Sequence, residues 1–504
     1  MIFNSYIFIL LFMPLALIGY FALNKYCGGK NGQAGLWWLL VLSLFFYAYD
    51  IPAFLILLLG SVAVNYGISQ AITNLKAKKE KSARQQKIWM VSGIILNLVP
   101  LAYFKYGDFF VDSIEDFFHA EWNVKVALPL GISFYTFLQI AYLVDCYREE
   151  NGFDYTFLEY AVYTAFFPKI TMGPIVLHSE VIPQLRERSK KVLDYSNLSQ
   201  GMYLFALGLG KKVLLADTLA KFVNAGFENL YAINTMTAAA VTLSYTLQLY
   251  FDFSGYCDMA VGVARMMNIE LPYNFNSPYK AKSISEFWDR WHMTLTRFFT
   301  RYVYIPLGGS RKGKIRTYVN TMIVFLLSGL WHGAEWNFVF WGFLHGIFMT
   351  IEKIGKDLGL GSKKLTGIPR RILDCVRWFY TFAAVNFMWI FFRAEDMEQG
   401  KFFLTRLASG GWKIQEYITN IFNDLIEVRL LKRLGLGSLM EASMDVTVWC
   451  VLIILTLSVV FLKNTQEKMM SAKYNWVRSM ITAVLIVWCV VSLSDVSVFL
   501  YFNF

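Results

Sequence analysis

About a dozen stretches near 20 residues long run through this chain with almost no charge, each able to cross roughly 30 Å of hydrocarbon as a helix. They fall near 5–23, 35–49, 51–71, 88–106, 126–147, 197–216, 236–253, 317–333, 336–352, 372–392, 445–462 and 478–494. Only 16% of residues are charged and 56% are hydrophobic, whereas soluble chains carry about 25% charge. Charge is scarce because an ion in hydrocarbon is expensive. These facts predict an all-α, polytopic transmembrane helical bundle of about 10–12 spans. One integral membrane domain over 1–504 fits better than a string of soluble domains, since no linker or repeat divides the chain.

Breaks in the apolar runs have chemical causes. Tyr49-Asp-Ile-Pro52 separates two runs, because the residue before proline avoids helical backbone. The stretch 153–177 is interrupted by Pro168, Lys169, Gly173 and Pro174 and reads as re-entrant or interfacial, tolerated only under a cover of protein. The basic excess follows the positive-inside pattern. No Lys or Arg precedes the first span, while Lys25 and Lys30 follow it, so the N-terminus is expected outside and uncleaved. Lys76, Lys78, Lys79, Lys81, Arg84 and Lys87 then fall inside, as do 186–191, 280–316 and 353–371. Asp108, Asp112, Glu115, Asp116 and Glu121 fall outside, in the loop that holds His119. The net charge of +11 is thus spread over loops and does not indicate nucleic acid. Six scattered cysteines without a CxxC pair give neither a disulfide framework nor a zinc site, and no metal is expected.

Unusual polar residues concentrate between 245 and 345. Asp252 and Asp258 at membrane depth are either an acid and base or, as favoured here, helix-end caps or partners of a basic residue such as Arg265. Ser283-Ile-Ser-Glu286 opens an expected amphipathic helix. Trp288, Trp291, Leu295, Phe299 and Tyr302 form its apolar face, with Arg290, Thr294, Arg297 and Arg301 opposite as a basic stripe toward headgroups or a phosphorylated ligand. His292 shares the apolar face, and on spacing alone it reads as structural. His332 lies on the span that begins at Arg316, about 24 Å along it at 1.5 Å per residue. An intramembrane imidazole is a candidate for proton transfer, and Gly329 and Gly333 leave room beside it. His345 reads as structural, and His178 and His119 carry no signal. There is no G-x-S-x-G elbow and no H-E-x-x-H. Gly308-Gly-Ser-Arg-Lys-Gly-Lys314 approaches a phosphate loop, but Ile315 replaces the Ser or Thr that would meet magnesium.

Several strings, taken in order, resemble the bacterial branch of the membrane-bound O-acyltransferase (MBOAT) family. They are Leu128-Pro-Leu-Gly-Ile-Ser-Phe-Tyr-Thr-Phe137 with Tyr142-Leu-Val-Asp145, Phe167-Pro-Lys-Ile-Thr-Met-Gly-Pro174 and Tyr250-Phe-Asp-Phe-Ser-Gly-Tyr-Cys-Asp258. Phe287-Trp-Asp-Arg-Trp-His292, Tyr304-Ile-Pro-Leu-Gly-Gly309, Leu330-Trp-His-Gly333, Trp389-Ile-Phe-Phe-Arg-Ala394 and Phe499-Leu-Tyr-Phe-Asn-Phe504 follow. The motif core spans about 126–394, and the added spans at 445–494 look most like the alginate O-acetylation branch. The resemblance implies His332 as the catalytic histidine and His292 as a second important polar residue. It implies a cytoplasmic thioester donor, acetyl-CoA, with no permanently bound cofactor. The acceptor would be a hydroxyl of an extracytoplasmic polysaccharide, reached through a partner acetyltransferase in a bacterial cell membrane. Arg290, Arg297 and Arg301 are candidates for the coenzyme phosphates. A D-alanyl carrier protein feeding teichoic acid is the alternative donor, and a glycan transporter without chemistry is a third reading. The outer segment 394–444, with Lys401, Phe402, Phe403, Arg406, Trp412 and Glu427, is either a docking surface or a simple excursion.

Overall fold

A computed structural model describes residues 1–27, 33–77, 83–118, 127–149, 152–359, 367–423, 428–429, 433, 444–470, 475–493 and 499–500. Lys30, Lys78, Lys79, Lys81, His119, Glu121, Glu427 and 501–504 lie outside the described residues, as do the side chains of Asp108, Asp112, Glu115 and Asp116. Among the described residues there are helices and loops but no strand.

A wide π turn at Phe8–Phe12 leads into α1 (Met13–Tyr26), followed by α2 (Ala34–Ala48), α3 (Phe54–Ala77) and α4 (Ala83–Phe118). Next come α5 (Ile132–Arg148), α6 (Phe157–Ala165) and α7 (His178–Arg186). Then α8 (Tyr195–Gly210) passes through a π-type segment, Lys211–Ala216, into α9 (Asp217–Glu228) and the long α10 (Thr235–Met266). The short α11 (Ile284–Trp288) and α12 (Met293–Phe299) precede α13 (Lys314–His332), α14 (Trp336–Asp357) and α15 (Gly367–Arg393). After α16 (Met397–Leu407) and α17 (Glu416–Asn423), helices cover Met444–Phe461, Thr465–Met470 and Trp476–Val491.

Each of the twelve candidate spans has a helix over most of its described residues, while the interrupted stretch 153–177 is helical only at Phe157–Ala165. Five described helices are long and apolar enough to cross a membrane: Phe8–Tyr26, Phe54–Ala77, Ala83–Gly107, Gly367–Arg393 and Met444–Phe461. They leave large apolar side chains uncovered, Leu10, Ile18, Ile56, Val99, Phe379 and Ile454 among them. That belt suits lipid and would be a liability in water. In contrast α5, α6 and α10 are buried along nearly their whole length. These helices therefore carry polar residues for their neighbours, and their hydropathy is moderate although they lie deepest.

Two devices hold the centre. The first is close packing of α8 on α10, where a Cβ at Gly208 would lie 2.5 Å from the carbonyl oxygen of Gly255 and one at Gly201 2.5 Å from that of Gly262. Small residues let membrane helices approach this closely. Gly208→Ala should therefore lower the thermal midpoint of the purified protein, overpacking costing about 1–3 kcal/mol. Gly60→Ala on α3, where nothing lies within 4 Å, should leave it unchanged or raised.

The second device is a pair of buried ionic links across the same interface. Lys212 Nζ lies 2.7 Å from Asp252 and 2.7 Å from Asp217, and Lys211 Nζ donates to Asp258 at 2.6 Å. The Thr465 hydroxyl also donates to Asp258, and the backbone N–H of Leu500 donates to Asp252 at 3.0 Å. Phe499 covers the Lys212 ammonium at 4.5 Å. Asp252 and Asp258 thus pair with lysines as expected, but the partners come from the π-type segment rather than from Arg265.

The interrupted stretch after α6 is covered by protein throughout. Its backbone is bonded from several sides: Phe167 N–H to Ser43 Oγ at 3.1 Å, Ile175 N–H to Thr294 Oγ1 at 2.9 Å, and Tyr163 OH to Val176 O at 2.9 Å. Irregular backbone at membrane depth needs such partners.

Candidate active site

His332 is the last residue of α13, and the chain leaves the helix at Gly333 in an extended conformation. The imidazole is 3% exposed and sits in an aromatic box, with ring centroids 4.7 Å from Trp331, 5.0 Å from Trp341 and 5.1 Å from Phe392. The box forms because α13 and α14 touch backbone to backbone. A Cβ at Gly342 would lie 3.1 Å from the Cα of Gly329, and one at Gly329 would overlap the Phe338 carbonyl. The glycine before His332 thus serves helix packing.

His292 reaches the same place from another element. The expected continuous amphipathic helix does not form. The chain breaks at 289–292 between α11 and α12, and His292 takes left-handed backbone, φ 44° and ψ 50°. The physical reason is a long-range pairing. Asn276 N–H donates to Arg290 O at 2.9 Å, and Met293 N–H donates to Asn274 O at 3.0 Å, so a facing strand of backbone intercepts the helix. Left-handed conformation costs a non-glycine residue roughly 1–2 kcal/mol, and strain of this kind clusters at functional sites.

Asn274 also sets the imidazole. Its Oδ1 accepts from Thr294 N–H at 3.2 Å and from the Thr294 hydroxyl at 2.6 Å, and it lies 3.3 Å from His292 Nδ1. An amide oxygen only accepts, so Nδ1 carries the proton and Nε2 keeps its lone pair. That Nε2 is buried and has no hydrogen-bond partner among the described residues, nor does the neighbouring Trp331 Nε1. Trp331 is the neighbour shared by the two histidines, 6.1 Å from the His292 ring. Buried polar atoms are usually matched, so among the described residues these two nitrogens, on neighbouring rings, are polar groups at this site free to take a further partner.

His345 is fixed differently. Its Nδ1 accepts the indole N–H of Trp288 at 3.1 Å, and its ring lies 4.8 Å from Trp341. His178, which carried no signal in the sequence, is buried with Nε2 3.5 Å from Asp145 and Nδ1 3.2 Å from the Tyr155 hydroxyl.

The three arginines of the expected basic stripe separate. Arg290 pairs with Glu286 at 2.9 Å, Arg297 holds Glu180 at 2.6 Å and 2.9 Å, and Arg301 meets Asp145 at 3.0 Å. Thr294, between them in sequence, points inward and is buried. Each guanidinium is matched by a carboxylate: Arg290 by a residue one turn back, while Arg297 and Arg301 brace α12 and the turn after it against α7 and α5.

A cavity of about 360 Å³ opens between α11, α12, α13 and α14, with none of the three histidines in its wall. Trp288, Leu295, Phe299 and Phe325 form apolar walls, and Ser328 lines it one helical turn before His332. Lys353 and Lys356, near the far end of α14, line it as well. Lys353 donates to Thr321 Oγ1 at 2.6 Å, which places it about 16 Å down α13 from His332 by helical rise. The cavity therefore runs along α13 from Lys353 to Ser328, one turn short of His332, and Asp289 also contributes to its wall. Neither lysine was singled out by the sequence pattern, because only the folding of α14 along α13 brings them under the site.

The family model for the membrane-bound O-acyltransferases matches residues 35–358. A peptidoglycan O-acetyltransferase of Helicobacter pylori is 36% identical over 100% of this chain and 98% of its own. A probable alginate O-acetylase AlgI of Pseudomonas aeruginosa is 35% identical over 82% of this chain and 76% of its own. A teichoic acid D-alanyltransferase of Bacillus subtilis is 29% identical over 44% of this chain and 58% of its own.

Proposed function

This chain belongs to the membrane-bound O-acyltransferase family as a multi-pass membrane acyltransferase, and from that premise we propose that it passes an acetyl group from cytoplasmic acetyl-CoA toward an extracytoplasmic polysaccharide. The observation that carries this reading is the cavity with lysines at one end and His332 beyond the other. A thioester is an apolar acyl group on a polyanionic carrier, and the cavity offers apolar walls with a basic mouth. In this reading the N-terminus is outside and Lys353 and Lys356 face the cytoplasm of a bacterial cell. These two lysines take the phosphate-binding role, since Arg290, Arg297 and Arg301 are already matched by carboxylates.

His332 accepts the proton of the acceptor hydroxyl as its oxygen attacks the thioester carbonyl. The C–S bond then breaks, the acyl group leaves as an ester, and the proton passes to the departing thiolate. His292, with its lone pair on Nε2 beside Trp331, orients the acceptor hydroxyl. The membrane divides the reactants, so a route through the bundle lets the acyl group cross while the coenzyme stays behind. A partner acetyltransferase outside receives or completes the transfer. The relative that matches over full length modifies peptidoglycan, so peptidoglycan fragments are the first acceptor to offer and alginate the second. A D-alanyl carrier donor rests on relatives that match less than half of the chain.

The test is release of free CoA from acetyl-CoA by the protein in lipid nanodiscs, with peptidoglycan fragments, alginate or a D-alanyl carrier supplied in parallel. Acetyl transfer to the first or second acceptor supports the reading, and turnover with the carrier alone overturns it. Lys353→Ala/Lys356→Ala should raise the KM for acetyl-CoA about thirtyfold with kcat near wild type, each lost phosphate contact being worth roughly 1 kcal/mol. An unchanged KM would place the coenzyme elsewhere.

A further inference from the structure

We infer that Lys105 and Tyr106 of α4 form a clamp that positions His332 for acyl transfer, an inference that rests on the reading of His332 as the proton acceptor. A helix leaves its last four carbonyls without intrahelical donors. At the end of α13 three successive carbonyls are taken by α4. The Tyr106 hydroxyl donates to Leu330 O at 2.9 Å, and the Lys105 ammonium donates to Trp331 O and, at 3.3 Å, to His332 O. The same ammonium lies 5.6 Å from the Trp331 ring.

A lysine in an apolar span is costly unless something answers its charge. The partners here are two carbonyls and an indole face, so what the ammonium fixes is backbone position. A cation at the C-terminal end of a helix is also favoured by the helix dipole. Just beyond the clamp the chain turns away at Gly333, which offers no side chain to hold the histidine in place. Lys105 and Tyr106 come from more than 220 residues earlier in the chain, and their hydrogen bonds here go to the main chain of Leu330, Trp331 and His332. They are positioning residues; neither has to touch the substrate.

The experiment compares steady-state acetyl transfer by wild type, Lys105→Met, Lys105→Arg, Tyr106→Phe and His332→Ala in nanodiscs. Only variants with the wild-type size-exclusion profile are compared. Lys105→Met should lower kcat ten- to a hundredfold with the KM for acetyl-CoA within about twofold, the scale of a misplacement near 1 Å. Lys105→Arg, which keeps a charged donor, should recover most of that loss. Tyr106→Phe should lower kcat about threefold, one neutral hydrogen bond's worth. This variant keeps the test decisive if Lys105→Met does not fold. Wild-type kcat in both Lys105→Met and Tyr106→Phe, or a loss that arginine does not restore, overturns the clamp. If His332→Ala itself turns over normally, the reading of His332 falls first and the clamp with it. An inactive His332→Ala beside fully active clamp variants removes the clamp alone.

Discussion

His332→Ala is expected to slow acetyl transfer by about three orders of magnitude, the middle of the range for loss of a general base. The imidazole is buried in an aromatic box, so water is poorly placed to replace it as the proton acceptor. The donor cavity ends a helical turn away at Ser328, so binding of acetyl-CoA should survive. The expected pattern is therefore a collapse of kcat with donor affinity retained. Single-turnover acetyl transfer, together with equilibrium binding of a non-reactive acetyl-CoA analogue, measures both. His292→Ala should be milder, about tenfold, because it orients a hydroxyl without carrying the proton. Normal turnover by a well-folded His332→Ala would remove this residue from the chemistry. Loss of analogue binding in the same variant would make its role one of shape.

Lys212→Met should be the most destabilising single change considered, by about 3–5 kcal/mol, because it leaves Asp252 buried without its cation. Lys212 is 2% exposed and Asp252 3%, so solvent does little to compensate either one. Asp217, at 17%, can turn toward solvent more readily. Adding Asp252→Leu to Lys212→Met should restore most of the loss, since a buried pair replaced by apolar groups of similar size is often neutral. The double-mutant comparison, read as unfolding midpoints in a denaturant titration in mild detergent, separates these terms. A small effect of Lys212→Met alone would show that the pair is open to water.

The spans were legible because lipid enforces a simple rule, a long uncharged run, and each run falls on a helix. His332 was legible for a related reason. A histidine at membrane depth between two glycines is conspicuous where neighbours are Leu, Val and Phe. The geometry around His292 was not legible. Periodicity over 284–302 describes a helix correctly as local preference, yet Asn274 and Asn276 pair with backbone at 290–293 and break it. That contact depends on the loop after α10 returning to the site, which no spacing rule encodes. The basic stripe dissolved because Arg297 and Arg301 turn toward carboxylates on α7 and α5, while Arg290 takes its neighbour Glu286 one turn back. Lys105 could have been found in the sequence, being a cation inside an apolar run. The outward sign of Lys353 and Lys356 in the sequence was only their place in a basic cluster after an apolar run.

The hydrogen bond from Leu500 to Asp252 joins residues 248 positions apart. At about 5–20 residues per second, ribosomes deliver the second partner on the order of ten to fifty seconds after the first. Through that interval the Lys212–Asp252 pair is held in a half-assembled bundle, with Phe499 not yet laid over the ammonium. The joint is therefore complete only once residues 499–500 have been made and docked, so its two halves are separated in time as well as in sequence.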